Sequence, residues 1–433
     1  MSSTNTEANN SGAPVTIGII RETLIPDETR VPLTPANCEE ILSLYGSRVT
    51  ILVESCPFRC YSDKEYLAAG AKIVEKAVGA DFLLGVKPPA VDTLQPGATY
   101  ALFSHTIKKQ PHNRDLLRAV LDKGIRLMDW ECMRDALGIR LVGFGRWAGI
   151  VGAHNTMMAW GRRSGCCQLF RLREAQDWEA AKKRYADEIK PEMMRDLRVV
   201  VTGDGRVGNG ACELLNLLGL ERLAPQDFLA REWQPGHAGT YTQLPADWLF
   251  RKGPEAGWSV EFFSDPTGYH SVIWPFATRA NVLINGIFWD HRCAPLLTLE
   301  DMRRPDFGIQ LVGDITCDIA PVASLPSTLR ATTVDDPIFT FDPSSGCELP
   351  SDNRNIDKAY VDVMSVDNLP IELPRDSSST FGELLLRRVV PEMLLPHVAP
   401  GGCSRVLQDA TIAENGKLTS AYAYLQDYAD GEC

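Results

Sequence analysis

The sequence predicts an α/β protein of two domains, each a parallel sheet with helices on its faces. Three observations carry this. Short apolar, β-branched runs alternate with helix-length amphipathic segments from Val15 to Glu131, which is the rhythm of βαβ units. A second such alternation starts at Leu197 and opens on a glycine-rich turn. The length of 433 residues, with 44% hydrophobic and 23% charged residues, suits two ordinary cores.

Residues 1–14 are Ser/Asn/Thr-rich. They lack the basic and apolar regions of a signal peptide, and they read as a disordered tail. Val15 to Ile20 is a strand ending at Arg21. Thr34 caps and Pro35 opens a helix, Ala36 to Tyr45. Val49 to Val53 is the next strand. Ser62 to Ala69 is a helix capped by Ser62 or Asp63. Ala80 to Val86 is a strand ending at Lys87, whose backbone Pro88 biases towards extension. Tyr100 to Ser104 is a strand ending at His105, Asn113 to Lys123 a helix, and Ile125 to Met128 a strand ending at Asp129 and Glu131. Trp147 to Arg163 is rich in Gly, Ala and Met and reads as a buried linking helix. Its His154 reads as a satisfied interior histidine. The segment from Cys166 to Arg195 is charged and helical.

Leu197 to Val201 is a buried strand that runs into Gly203-x-Gly205-x-x-Gly208, followed by a helix over Ala211 to Leu218. In a Rossmann-like βαβ unit the first glycine makes the turn, the second admits a pyrophosphate, and the third lets helix pack on strand. Free N–H groups and the helix dipole favour the anion. This predicts binding of NAD or NADP by Gly203, Gly205, Arg206, Val207 and Gly208. The next strand should end in the residue that reads the ribose, an acid for NAD and a base for NADP. Glu221, Arg222 and Asp227 fall in that window, and Asp227 is the candidate taken. The segment from Ala224 to Pro275 is long and carries Trp233, Trp248 and Trp258. Asn281 to Asn285 is a strand whose Asn285-Gly286 end faces the nicotinamide. Gln310 to Gly313 ends at Asp314, and Asp362 to Val366 at Asp367. Phe381 to Leu395 is an amphipathic helix kinked by its proline.

In the first half, Arg21, Lys87, His105 and Asp129/Glu131 all follow strands, and open α/β sheets bind ligands outside the carboxyl ends of their strands. An arginine, a lysine, a histidine and an acid suit a carboxylated substrate undergoing proton transfer. Arg21 and Arg30 can fork onto carboxylates, and lysine and histidine can act as acid and base near neutral pH.

Composition excludes several classes. The formal charge of −12 argues against nucleic acid and anionic membranes as partners. No apolar run spans a bilayer. The 12 cysteines are scattered without zinc-finger spacing. They read as reduced thiols of a cytoplasmic monomer or homodimer, with no metal.

The residues also resemble a family. Ile19 to Thr23 (IIRET) with Arg30 to Pro35 (RVPLTP) is similar to the opening of the alanine dehydrogenase/transhydrogenase superfamily. Gly85 to Pro89 (GVKPP), Tyr100 to Gln110 (YALFSHTIKKQ) and Phe144 to Gly149 (FGRWAG) resemble lysine-forming saccharopine dehydrogenase and lysine–2-oxoglutarate reductase. So do Leu283 to Trp289, Gly313 to Asp318, Ala331 to Pro337 and Ser365 to Pro370 with Leu373 to Asp376. The resemblance implies condensation of lysine with 2-oxoglutarate to an imine and its reduction by NAD(P)H to saccharopine, or the reverse. It implies Lys87 and His105 as the acid/base pair, Glu131 beside them, and Arg21 on a substrate carboxylate. It implies two Rossmann-like domains with parallel sheets flanking a cleft, the C-terminal segment packing back on the first domain. The domains are then 15–140 with about 377–433, for substrate, and 141–376, for the dinucleotide. Segments 166–195 and 224–275 depart from the family pattern. Another amino-acid or opine-type dehydrogenase, or a non-catalytic nucleotide sensor, would use the same frame.

Overall fold

The computed structural model describes residues 14–23, 28–253, 257–350, 359–398 and 404–431. The expected N-terminal tail lies outside the described residues, apart from Pro14. The chain forms two compact units, one of residues 1–143 with 374–433 and one of residues 144–373.

In the first unit β1 (Val15–Ile19) leads to α1 (Pro35–Tyr45), β2 (Val49–Glu54), α2 (Asp63–Ala68), β3 (Lys72–Val74), β4 (Phe82–Leu84), β5 (Thr99–Leu102), α3 (Arg114–Asp122) and β6 (Arg126–Asp129). Local chemistry sets the helix starts. Thr34 caps α1, accepting from the Asn37 N–H while the Asn37 side chain answers to the Thr34 N–H. Ser62 and Glu65 do the same for α2. Strand β3 has no counterpart in the sequence reading. It is a short edge strand that starts on an exposed lysine, so it lacks the buried alternation that marks a strand.

The second unit opens on α4 (Gly145–Ser164), followed by α5 (Trp178–Glu188), β7 (Arg198–Thr202), α6 (Arg206–Leu217), β8 (Glu221–Leu223), α7 (Pro225–Ala230), β9 (Thr240–Leu244), α8 (Ala246–Leu249), β10 (Phe250–Lys252), β11 (Tyr269–Ser271), α9 (Trp274–Ala277), β12 (Val282–Asn285), α10 (Leu299–Met302), β13 (Leu311–Asp314), β14 (Ile338–Asp342), β15 (Cys347–Glu348) and β16 (Val361–Met364). Its sheet runs β15-β14-β16-β13-β12-β7-β9-β8, parallel except for β14 and β15.

Helix α4 is buried almost all round, and its small residues explain why. A Cβ on Gly149 would lie 2.0 Å from the Val207 carbonyl oxygen, and one on Gly210 of α6 would lie 2.1 Å from that of Arg146. The two backbones therefore touch, which only glycine permits. The 166–195 segment covers the same helix. Trp178 packs edge-on to Trp147, and Tyr185 packs against His154. The 224–275 segment joins the core on the sheet's other face, where Trp233 meets Phe228, Trp248 meets Phe276, and Phe262 stacks on Phe250.

The chain then returns to the first unit through α11 (Pro374–Arg388), α12 (Val390–Val398), α13 (Arg405–Asp409), β17 (Thr411–Glu414), β18 (Lys417–Leu418) and α14 (Gln426–Asp430). The first sheet thus runs β18-β17-β6-β5-β4-β1-β2-β3, with only β17 and β18 antiparallel to their neighbours. Helix α11 docks by Phe381 on Phe103 and Trp130, and Ser378 Oγ accepts the Val31 N–H. The single helix expected over residues 381–395 is two. It starts earlier, at Pro374, where a proline in the first turn loses no bond, and it breaks at Val389, just ahead of Pro391.

Candidate active site

Four neighbouring parallel strands of the first unit, β6, β5, β4 and β1, end in Glu131, His105, Lys87 and Arg21. The turn after β5 is the most constrained. His105 has φ +53°, a left-handed conformation that costs a side chain strain. Buried Asp129 holds it there. Its carboxylate accepts the N–H groups of Ser104 (2.9 Å) and His105 (3.1 Å), the Ser104 hydroxyl (2.5 Å) and the Glu131 N–H (2.7 Å). One carboxylate thereby positions both the histidine and the glutamate. The His105 ring stacks on Phe103, and its Nδ1 lies 3.3 Å from Glu131 Oε2.

Glu131 also has Arg140 Nη1 at 3.5 Å and Lys108 Nζ at 3.7 Å. Burial alone would raise its carboxyl. The hydrogen bond with His105 and the charges of Lys108, His105 and Arg140 outweigh burial and hold it down to about 2. The glutamate is a fixed negative charge beside the imidazole.

Lys87 sits in the neighbouring turn, half-buried. Its backbone N–H (3.0 Å) and that of Val86 (2.6 Å) are accepted by buried Glu22. Burial, then the like charge of Glu28, push the Glu22 carboxyl up to about 8 against these bonds. Arg30 is buried and forked onto Glu28 at 2.6 and 2.8 Å. The face expected to hold a substrate carboxylate is therefore engaged by an internal one. Arg21 is exposed and turned towards the β2 end, its Nε donating to the Ser55 carbonyl at 2.5 Å. Glu22, Glu28, Lys108 and Arg140 touch this set and were not singled out in the sequence, whereas Asp129 reads there only as a strand-end acid beside Glu131. Glu22 and Asp129 act by accepting backbone N–H groups, a role that residue type alone does not reveal.

In the second unit each glycine of the motif has its own reason. Gly203 has φ +85° and makes the turn, and a Cβ on Gly208 would lie 2.0 Å from the Gly203 carbonyl. A Cβ on Gly205 would meet nothing within 4 Å. Gly205 is the N-cap of α6, so open space lies where free helix N–H groups point, and these residues fit an anionic dinucleotide. The helix begins at Arg206, inside the motif, rather than at Ala211. Arg206 is exposed and Val207 half-buried against Gly286.

Asn285 and Asp314 differ from the expectation of residues facing a ligand. Both are fully buried. The Asn285 amide donates to Asp314 Oδ1 and Ser324 Oγ, each at 2.9 Å, and accepts from Thr202 Oγ1 at 2.7 Å. Asp314 also accepts from Thr328 Oγ1 at 2.6 Å. Their hydrogen-bonding capacity is used inside the sheet, which leaves the Gly286 backbone as the group at that strand end. Asp367 is exposed beyond β16. Asp227 is exposed on α7, between β8 and β9. The strand beside β7 is β9, while β8 lies at the sheet edge, so the strand following the glycine helix is not the one next to the glycine strand.

His154 is a satisfied interior histidine, as expected. Nε2 meets the Phe170 carbonyl at 2.8 Å and Nδ1 meets the Tyr185 hydroxyl at 2.5 Å. No helix among the described residues is long and apolar enough to cross a membrane.

Residues 18–151 match the family described as alanine dehydrogenase/PNT, N-terminal domain. The chain is 31% identical to the mitochondrial alpha-aminoadipic semialdehyde synthase of Bos taurus, over 94% of this chain and 47% of that protein. It is 25% identical to the saccharopine dehydrogenase [NAD(+), L-lysine-forming] of Candida glabrata, over 87% of this chain and 91% of that one. The chain thus spans about half the length of the semialdehyde synthases it matches. An L-alanine dehydrogenase structure superposes with a TM-score of 0.59 at 16% identity, over 96% of this chain and 99% of that one, a likeness of fold.

Proposed function

We propose that this chain, which is similar to the alpha-aminoadipic semialdehyde synthases and lysine-forming saccharopine dehydrogenases and shares the fold of an alanine dehydrogenase, interconverts saccharopine with lysine and 2-oxoglutarate. The reaction balances as lysine, 2-oxoglutarate, NAD(P)H and a proton giving saccharopine, NAD(P)⁺ and water. When bound, the nicotinamide supplies the hydride that reduces the imine carbon.

The observation that carries this reading is the set of Lys87, His105 and Glu131 at the ends of three neighbouring strands. Imine formation needs a base to take a proton from the attacking ε-amine and an acid to protonate the departing hydroxyl. Lys87 and His105 are the exchangeable pair. Glu131, ionised, is a fixed negative charge against the ring of His105. Asp129 and Glu22 hold the two turns in place through backbone N–H groups. Arg21 is the exposed cation for a substrate carboxylate. Arg30, paired with Glu28, contributes through that pair. Gly203, Gly205, Arg206, Val207 and Gly208 cradle the pyrophosphate.

Coenzyme oxidation at neutral pH, followed with 2-oxoglutarate alone, with lysine alone and with both, tests the proposal. Oxidation only with both supports it. Oxidation with 2-oxoglutarate and a different amine, and not with lysine, overturns the substrate and keeps the frame.

A further inference from the structure

The order of the second sheet bears on which of Glu221, Arg222 and Asp227, all in the ribose window of the sequence, reaches the glycine turn. In the usual Rossmann order the strand after the glycine helix returns beside the glycine strand, and its last residue reads the ribose. Here β8 goes to the edge and β9 inserts between β8 and β7. The carboxyl end next to the glycine turn therefore belongs to β9: Gln243, Leu244, then Pro245 and Ala246. None of these can accept a ribose 2′-hydroxyl on a carboxylate. The first acid beyond them, Asp247, is exposed on α8.

A cation reaches that end instead. Arg222 on β8 is in register with Tyr241, so its side chain shares a face of the sheet with Tyr241 and Gln243. Tyr241 meets Asn216 of α6, which identifies that face as the one under the glycine helix. Arg222 Nη2 donates to Gln243 Oε1 at 2.7 Å. Gln243 Nε2 in turn donates to the Gly203 carbonyl and to Asn209 Oδ1, each at 3.0 Å. The guanidinium is thus one side chain away from the phosphate turn. It is exposed, and its hydrogen bond goes to a neutral amide. The neighbouring acid, Glu221, is engaged by Arg231 at 2.6 Å.

We propose that Arg222 is the coenzyme-selecting residue, seating the 2′-phosphate of NADP(H), with Gln243 tying it to the glycine turn. A guanidinium forks onto phosphate oxygens and has no comparable partner in the 2′-hydroxyl of NAD(H). The inference rests on the dinucleotide reading above and goes beyond it in choosing the nucleotide and the residue.

The test is direct binding, by intrinsic tryptophan fluorescence and calorimetry, of NADPH, NADH and 2′,5′-ADP to the full chain and to Arg222→Gln and Arg222→Lys. NADPH is expected to bind at least about tenfold tighter than NADH, as charged hydrogen bonds imply. Arg222→Gln should weaken NADPH and 2′,5′-ADP about ten- to a hundredfold and leave NADH within about twofold, with Arg222→Lys recovering part of the loss. Arg222 is exposed, and an unchanged melting temperature excludes a folding defect. Tighter binding of NADH, or equal weakening of NADH and NADPH in the glutamine variant, would overturn the assignment and reduce Arg222 to a brace of the turn. Failure of the wild type to bind either coenzyme overturns the dinucleotide reading itself and this inference with it.

Discussion

His105 Nδ1 stands 3.3 Å from Glu131 Oε2, and both residues are fixed by one buried carboxylate, that of Asp129. Glu131→Gln keeps the shape and removes the charge. It should lower kcat about tenfold or more while leaving coenzyme affinity unchanged. Combined with His105→Asn it should add little further loss, because the two act as one unit. Steady-state kinetics on the two single variants and the double variant check this. Additive losses would separate the residues.

Lys87→Met should lower turnover by about a hundredfold or more, the usual worth of a positioned acid or base. The coenzyme dissociation constant should stay within about twofold, because the glycine turn belongs to the other unit. Turnover equal to wild type would remove Lys87 from the chemistry.

Much of this arrangement was legible in the sequence, and the omissions have physical causes. Thr34-Pro35, Ser62 and the three glycines announce themselves because each makes a local bond or turn that few residues can make. Buried parallel strands read as apolar runs, so β1, β5, β7 and β13 were visible. The edge strand β3 and the insertion of β9 between β8 and β7 were not, because strand order is set by long-range pairing that leaves no local pattern. Lys87 and His105 stood out as polar strand ends. Asn285 and Asp314 stood out for the same reason, yet their hydrogen bonds close on each other, a distinction that composition cannot make. Asp227 falls on α7, past the end of β8 at Leu223, and β8 itself lies at the sheet edge rather than beside the glycine strand.

The α4–α6 contact makes a stability prediction. Gly149→Ala and Gly210→Ala each set a methyl about 2 Å from a helix backbone atom, which neither rigid helix can yield without separating. Each should cost about 3 kcal/mol. Gly205→Ala, facing open space, should leave stability nearly unchanged and weaken dinucleotide binding. Denaturant melts with parallel coenzyme titrations separate the two effects.

Acid should destabilise the fold in two windows. Burial holds His154 near 4 against an ordinary 6.5, so the unfolded chain takes up the proton first. Its contribution is complete above pH 6.5 and falls away as pH drops towards 4, by up to about 3 kcal/mol. Glu131, held near 2 against 4.5, contributes above pH 4.5 and loses that contribution as pH falls towards 2. Unfolding free energy measured against pH should flatten between 6.5 and 4 in His154→Gln. An unchanged slope would mean that the ring titrates normally in the fold.

The central claim is chemical, and isotope transfer tests it most directly. Lysine, 2-oxoglutarate and coenzyme deuterated at the transferring nicotinamide position are incubated with the protein, and the amino-acid product is weighed by mass spectrometry. The account predicts saccharopine carrying one deuterium on the new C–N carbon, formed by the wild type and not by Lys87→Met. Unlabelled saccharopine, or deuterium in another product with saccharopine absent, would contradict it.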